Sequence, residues 1–186
     1  MAIERYIGGG KLFFSKYNGT TYEAEAEIGE ITGATLSISQ TYADAMSKDN
    51  GIGKKVDKVA TATEATIKFT TQNLSKENMA LAMFGTVTTE VFAVGATLPD
   101  GTVAAASTTL DVVKGGTVNK IEGKLRFVEV NITGTRNPVL VVEHAVITPD
   151  GDVRTYVGDN FSTVAFSGEI LETANGYFKE YFIQKA

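Results

Sequence analysis

A mainly β domain with one short α-helix is the fold this chain predicts, on three observations. Most of the sequence alternates apolar and polar residues with a period of two. The alternating runs are punctuated by turn signals such as Asn18-Gly19, Pro99-Asp100-Gly101, Pro149-Asp150-Gly151 and Asn175-Gly176. Only one stretch, Asn73 to Gly85, has the start, body and stop of a helix. Abundant Thr, Val and Ala, with 19 Gly and three Pro in 186 residues, favour strands and tight turns. All-β domains of this length commonly stay single, so residues 1–186 are read as one domain.

Taken in order, Lys11–Tyr17 and Thr20–Ala26 form a predicted hairpin around Asn18-Gly19. Ile31–Gln40 sets Ala34, Leu36 and Ile38 against Thr35, Ser37 and Ser39, a strand with one core face. The pattern breaks over Thr41–Lys58, where charges of both signs and two glycines show no sustained period. A long polar loop is predicted there, of the kind that carries function. Val59–Thr71 is a long strand. Thr86–Gly123 is a peripheral β insertion, with extended runs at Val87–Val94, Thr108–Val113 and Thr117–Ile121. Lys124–Thr133, Val139–Thr148 after an Asn137-Pro138 break, Asp152–Val157, Thr163–Leu171 and Tyr177–Ile183 complete the strands.

The helix, Ser75 to Gly85, is capped by Ser75, carries Glu77 in its first turn and leaves through Gly85 in a left-handed conformation. From Met79 to Phe84 every residue is apolar, so its second half has no wet side. Burying Met79, Leu81, Met83 and Phe84 contributes about 1.5 to 3 kcal/mol each, which makes the source of their cover a structural question. A neighbouring subunit is the predicted source.

Composition narrows function. No Cys is present, so disulfides and thiolate metal sites are excluded. The N-terminus lacks the basic start and apolar run of a signal peptide, and no apolar segment is long enough to cross a membrane. A soluble protein made in a cytoplasm is the expectation. A net charge of -5 opposes a general electrostatic hold on nucleic acid. The single histidine, His144, has no second His or Cys to join it, and Gly8-Gly9-Gly10-Lys11 is followed by Leu12 where a phosphate loop needs Ser or Thr. Asp49-Asn50-Gly51 lacks the spacing and closing Glu of a calcium loop. No catalytic, cofactor or metal site is therefore predicted, and the chain is not expected to be an enzyme.

Half-polar strands, a long polar loop and an over-apolar helix remain. Such strands suit a barrel wall or a sheet shared with copies of itself more than a closed sandwich, and the fold class is read as a β-sandwich or half-barrel with one short helix. The order of features also carries a resemblance: Gly29-Glu30-Ile31-Thr32-Gly33-Ala34-Thr35-Leu36, the charged loop, the Ala/Thr-rich strand, then Asn73-Leu74-Ser75 through Leu81-Ala82-Met83-Phe84-Gly85. Leu125-Arg126-Phe127-Val128, the Val139–Thr148 strand, Pro149-Asp150-Gly151 and Phe166-Ser167-Gly168-Glu169-Ile170-Leu171 continue it. In this pattern the chain resembles the tail tube (major tail) proteins of long-tailed bacteriophages, which are related in fold to the tube proteins of type VI secretion systems.

The resemblance implies a homo-oligomer of stacked, hexameric rings forming a tube in the virion tail, assembled in the bacterial host cytoplasm with other phage tail proteins. DNA passes through such a tube without specific binding. On that reading Asp44, Lys48, Asp49, Lys54 and Lys55 of the loop dock a neighbour, and Met79, Leu81, Met83 and Phe84 form a helix seam. Glu64, Glu129 and Glu143 are candidate lumen acids, and no membrane is involved. The alternative is a monomeric β-sandwich that recognises a glycan or a host surface.

Overall fold

The computed structural model describes residues 8–47, 54–131, 134–153 and 162–185. Its elements are β1 (Gly8–Lys16), β2 (Ala26–Ser47), β3 (Lys54–Thr71), α1 (Lys76–Ala82), β4 (Thr86–Phe92), β5 (Thr108–Lys114), β6 (Ile121–Asn131), β7 (Arg136–Pro149), β8 (Val164–Ile170) and β9 (Phe178–Gln184). The mainly β expectation holds, with α1 as the helix among the described residues. The predicted strand over Asp152–Val157 falls largely outside them.

Seven strands run in the order β6-β1-β2-β3-β8-β7-β9, and β6 also pairs with β7. The sheet thereby closes upon itself, where the sequence had suggested a sandwich or half-barrel. One edge of β7 pairs with β6, and the other is shared between β8 at Ala145–Pro149 and β9 at Arg136–Val142. All these ladders are antiparallel, as expected for hairpin-connected strands. The expected break at Asn137-Pro138 is absent. Pro138 sits inside β7, third from its start, a place near a strand end where its missing N–H is tolerated.

Period-two alternation puts Leu12 and Phe14 of β1, Ala65, Ile67 and Phe69 of β3, Val142, Ala145 and Ile147 of β7, and Val164, Phe166 and Ile170 of β8 into one core. Phe69 and Phe166 stack at its centre with ring centroids 5.1 Å apart. Close packing is enforced by Gly123, where a Cβ would lie 2.2 Å from the Ser15 carbonyl oxygen. The closed sheet of a single chain is thus filled by side chains.

The insertion expected over 86–123 is a separate two-stranded sheet, β4 with β5, ending where β6 begins. Thr117–Ile121 is a connection and not a strand. The Pro99-Asp100-Gly101 turn forms as predicted, with Gly101 at φ +84 and its N–H donated to the Leu98 carbonyl. The first turn forms, with Asn18 Oδ1 accepting from the N–H groups of Thr20 and Thr21, but the second arm predicted over Thr20–Ala26 is not a strand: Tyr17 and Tyr22 make an isolated bridge and β2 begins only at Ala26.

Candidate assembly surfaces

The largest departure from expectation is the stretch predicted as a polar loop over Thr41–Lys58. β2 runs unbroken to Ser47 and β3 begins at Lys54, with Thr41–Ser47 laddered against Lys54–Ala62. Only 48–53, with Lys48 and Asp49, lies outside the described residues. The loop expectation is corrected for a physical reason. Both faces of these strands meet solvent, so no apolar face imposes the alternation by which a strand is recognised.

This hairpin outruns the rest of the sheet. β1 accompanies β2 only as far as Glu30, and β8 accompanies β3 only over Ala65–Thr71. Beyond those points the two strands form a ribbon with no further strand on either edge among the described residues. Its own interactions are modest. Asp44 pairs with Lys55, both about half exposed, a geometry that contributes about 0 to 1 kcal/mol. Lys58 Nζ lies 3.7 Å from the Tyr42 ring centroid, and Tyr42 Oη donates to Gln40 Oε1 at 2.6 Å. Ile38, Tyr42, Met46 and Val59 are 42 to 57% exposed. Of the predicted docking residues, the structure brings Asp44 and Lys55 together, while Lys54 takes its place in the ladder opposite Ser47.

A second open edge is the outer side of β9, which among the described residues pairs with β7 alone. Tyr181, Phe182 and Ile183 there are each about half exposed. The alternating pattern of β9 had predicted a strand but not that it would lie at the margin of the sheet, a property set by non-local pairing.

The helix is covered largely from within the chain. Met79, Ala80 and Ala82 are buried, and Leu81, Met83 and Phe84 are half-buried against the same core. Cover comes from the insertion: Gly116 N–H donates to the Met83 carbonyl at 2.8 Å and Val118 N–H to the Phe84 carbonyl at 2.9 Å. The predicted exit is also corrected. Phe84, at φ +48, is the left-handed residue, and Gly85 is required instead because a Cβ there would stand 2.4 Å from the Lys114 carbonyl oxygen. Ser75 caps as expected, accepting from the Asn78 N–H at 3.2 Å. Sequence reasoning missed Asn78 itself, buried, whose Nδ2 donates to the carbonyls of Ile28 and Asn73 at 2.7 and 2.8 Å.

The three candidate lumen acids stand in three different settings. Glu64 is exposed at the base of the ribbon, beside Thr66, Thr148, Ser167 and Glu169. Glu129 borders a cavity of about 200 Å³ shared with Leu36, Phe69 and Phe127; burial, then repulsion from Glu180, pushes its carboxyl above the usual range. Glu143 lies between Lys124 at 3.0 Å and Lys179 at 3.8 Å. A larger groove, about 650 Å³, runs between α1, β4 and the connection from β1 to β2. Among the described residues, no three His, Cys, Asp or Glu are grouped to hold a metal ion, and no helix is long and apolar enough to cross a membrane.

Residues 5–119 match a family described as "Protein of unknown function UCP028589". The chain belongs to this family. Among curated proteins, none matches it. The span matched by UCP028589 contains the ribbon, α1 and the β4–β5 sheet but stops short of β6, which pairs with β1 and closes the barrel. The span shared with the family therefore carries the ribbon, while the β9 edge and the strands that complete the core lie beyond it.

Proposed function

We propose that this chain is a structural subunit that assembles with copies of itself, most specifically a tail tube protein whose stacked rings conduct DNA in a phage virion. The observation that carries the reading is the β2–β3 ribbon. An isolated two-stranded ribbon is marginal in water, and open strand edges invite pairing with another chain. Here such a ribbon projects with no further strand on either edge among the described residues and with large apolar side chains exposed along it. A neighbouring subunit that pairs with or packs on it supplies the missing cover.

The remaining features are compatible with that role. The barrel core is filled, so a conduit would be lined by outer strand faces such as the one bearing Glu64, Thr66, Thr148, Ser167 and Glu169. A net charge of -5 suits a passage that must not hold phosphates. Hexameric rings and contacts with other tail proteins rest on the resemblance in sequence pattern.

The test is the size and shape of the purified protein, by light scattering and electron microscopy over a range of concentration and salt. Rings or tubes are expected. A strictly monomeric species throughout would overturn the reading. Replacing Met46–Val56 by Asn-Gly, which links Ala45 to its ladder partner Asp57 by a two-residue turn, should leave a folded subunit that no longer polymerises.

A further inference from the structure

The ribbon and the larger groove stand at opposite ends of β2. At its start, Ala26 and Ile28 line the 650 Å³ groove together with α1, β4 and the connection from β1. At its other end the strand becomes the ribbon, where Met46 is 56% exposed. The run of β2 between Ile28 and Met46, at about 3.3 Å per residue, is about 50 to 60 Å long. Because it is one continuous strand, the ribbon cannot turn back into the groove of its own subunit.

The chemistry of the two surfaces is complementary. The groove combines apolar side chains, among them Ala24, Ala26, Leu81 and Val87, with Glu23, Glu27 and Glu77 against a single lysine, Lys16. Glu27 is met by Lys11 and Glu77 by Lys76, whereas Glu23 is exposed and, among the described residues, forms no ion pair. In the ribbon, Met46 stands opposite Lys55 and Asp44 opposite Lys58, so these four side chains share one face with Tyr42. That face offers two ammonium groups for one carboxylate around an exposed thioether. A Met side chain is unbranched and polarizable, suited to filling an irregular apolar gap, and the groove is of the size of specific recognition pockets.

We propose that the groove between α1, β4 and the β1–β2 connection is the receptor for the ribbon of a second copy. Met46 seats among Ala24, Ala26 and Leu81, with the lysines of its face turned toward Glu23. The assignment rests on the self-assembly reading above and adds to it the surface on which the ribbon lands. The donor and receptor surfaces differ, so the contact runs head to tail. Each copy that gives its ribbon keeps a groove for the next, and growth continues unless a ring closes.

The chain has no cysteine, so an introduced pair reports this contact alone. Met46→Cys is made in one preparation, and Ala24→Cys or Ala26→Cys in another; all three positions are exposed, and each variant is checked for its fold by circular dichroism. The preparations are mixed at an assembling concentration, oxidised mildly and run on a non-reducing gel. A disulfide closes only where the two Cα atoms come within about 7 Å. A shift from one chain to two is expected in at least one of the two mixtures and in none of the preparations alone. Ala24→Trp, which fills the groove, should raise the concentration needed for assembly at least about tenfold, roughly 1.4 kcal/mol.

The outcomes separate this assignment from the reading beneath it. Rings or tubes that form without a linked pair at either groove position, or in which Met46→Cys links to itself or to Tyr181→Cys on the β9 edge, overturn the groove as receptor and leave self-assembly standing. A chain carrying both Ala24→Cys and Met46→Cys that links within itself overturns the second copy as occupant. A monomer at every concentration overturns both.

Discussion

Asn78 shows what one buried polar residue does in a helix that is apolar from Met79 onward. Its side chain is buried at 2% exposure and donates to two carbonyls, one on β2 and one just before the helix cap. Asn73 Nδ2 also reaches the Ile28 carbonyl, at 3.1 Å, so that oxygen keeps a partner if Asn78 is lost, while the Asn73 carbonyl loses its donor. Asn78→Leu is therefore expected to cost about 1 to 3 kcal/mol, read as a lower midpoint in denaturant with an unchanged slope. Glu129 makes the opposite case. Burial, and then Glu180, raise its folded-state pKa, so proton binding favours the folded form; that stability is fully present below the unfolded-state pKa and is lost as pH rises through the folded value. Glu129→Gln should raise the melting temperature at neutral pH, and the gain should vanish in mild acid. A variant that melts no higher than the parent at neutral pH would show that Glu129 carries no such penalty.

At the scale of elements, the strands with one dry face were legible because burial imposes period two, and β6, β7, β8 and β9 lie close to their predicted limits. The ribbon was not legible because neither face is buried, so Thr41–Ser47 and Lys54–Lys58 carry no alternation to read. The helix was legible through Ser75, but its exit was misplaced by one residue. Gly85 looked like the left-handed position, whereas its real constraint is a close approach to the Lys114 carbonyl, a contact between distant residues that a single sequence does not display. Gly85→Ala tests that distinction. The added methyl meets backbone and not a flexible side chain, so about 1 to 3 kcal/mol of destabilisation is expected, with exchange protection lost first in β4 and β5. Wild-type stability in that variant would show that the β4–β5 sheet can shift away from α1 at little cost.

For the whole molecule, closure of the sheet was the feature least accessible from sequence, since the β1–β6 ladder that closes it joins residues far apart in the chain. Closure also changes where assembly can occur. A half-barrel would have offered its open sides, but among the described residues the closed barrel leaves strand edges free where β2 and β3 overrun their neighbours and along β9. The helix, once the leading seam candidate, is largely covered by the chain's own 86–118 segment. The proposed self-assembly would then rest on the ribbon, whose exposed apolar side chains can be changed without touching the core. Ile38 and Met46 are 57 and 56% exposed, so Ile38→Lys with Met46→Lys should alter subunit stability by no more than about 0.5 kcal/mol each. Placed in an interface, the same two charges would be buried without partners and would raise the concentration needed for assembly by at least tenfold, about 1.4 kcal/mol. Sedimentation across a concentration series separates the outcomes: a stable monomer identifies the ribbon as the contact surface, and tubes forming at the parental concentration would move the contact elsewhere, with the outer edge of β9 next in line.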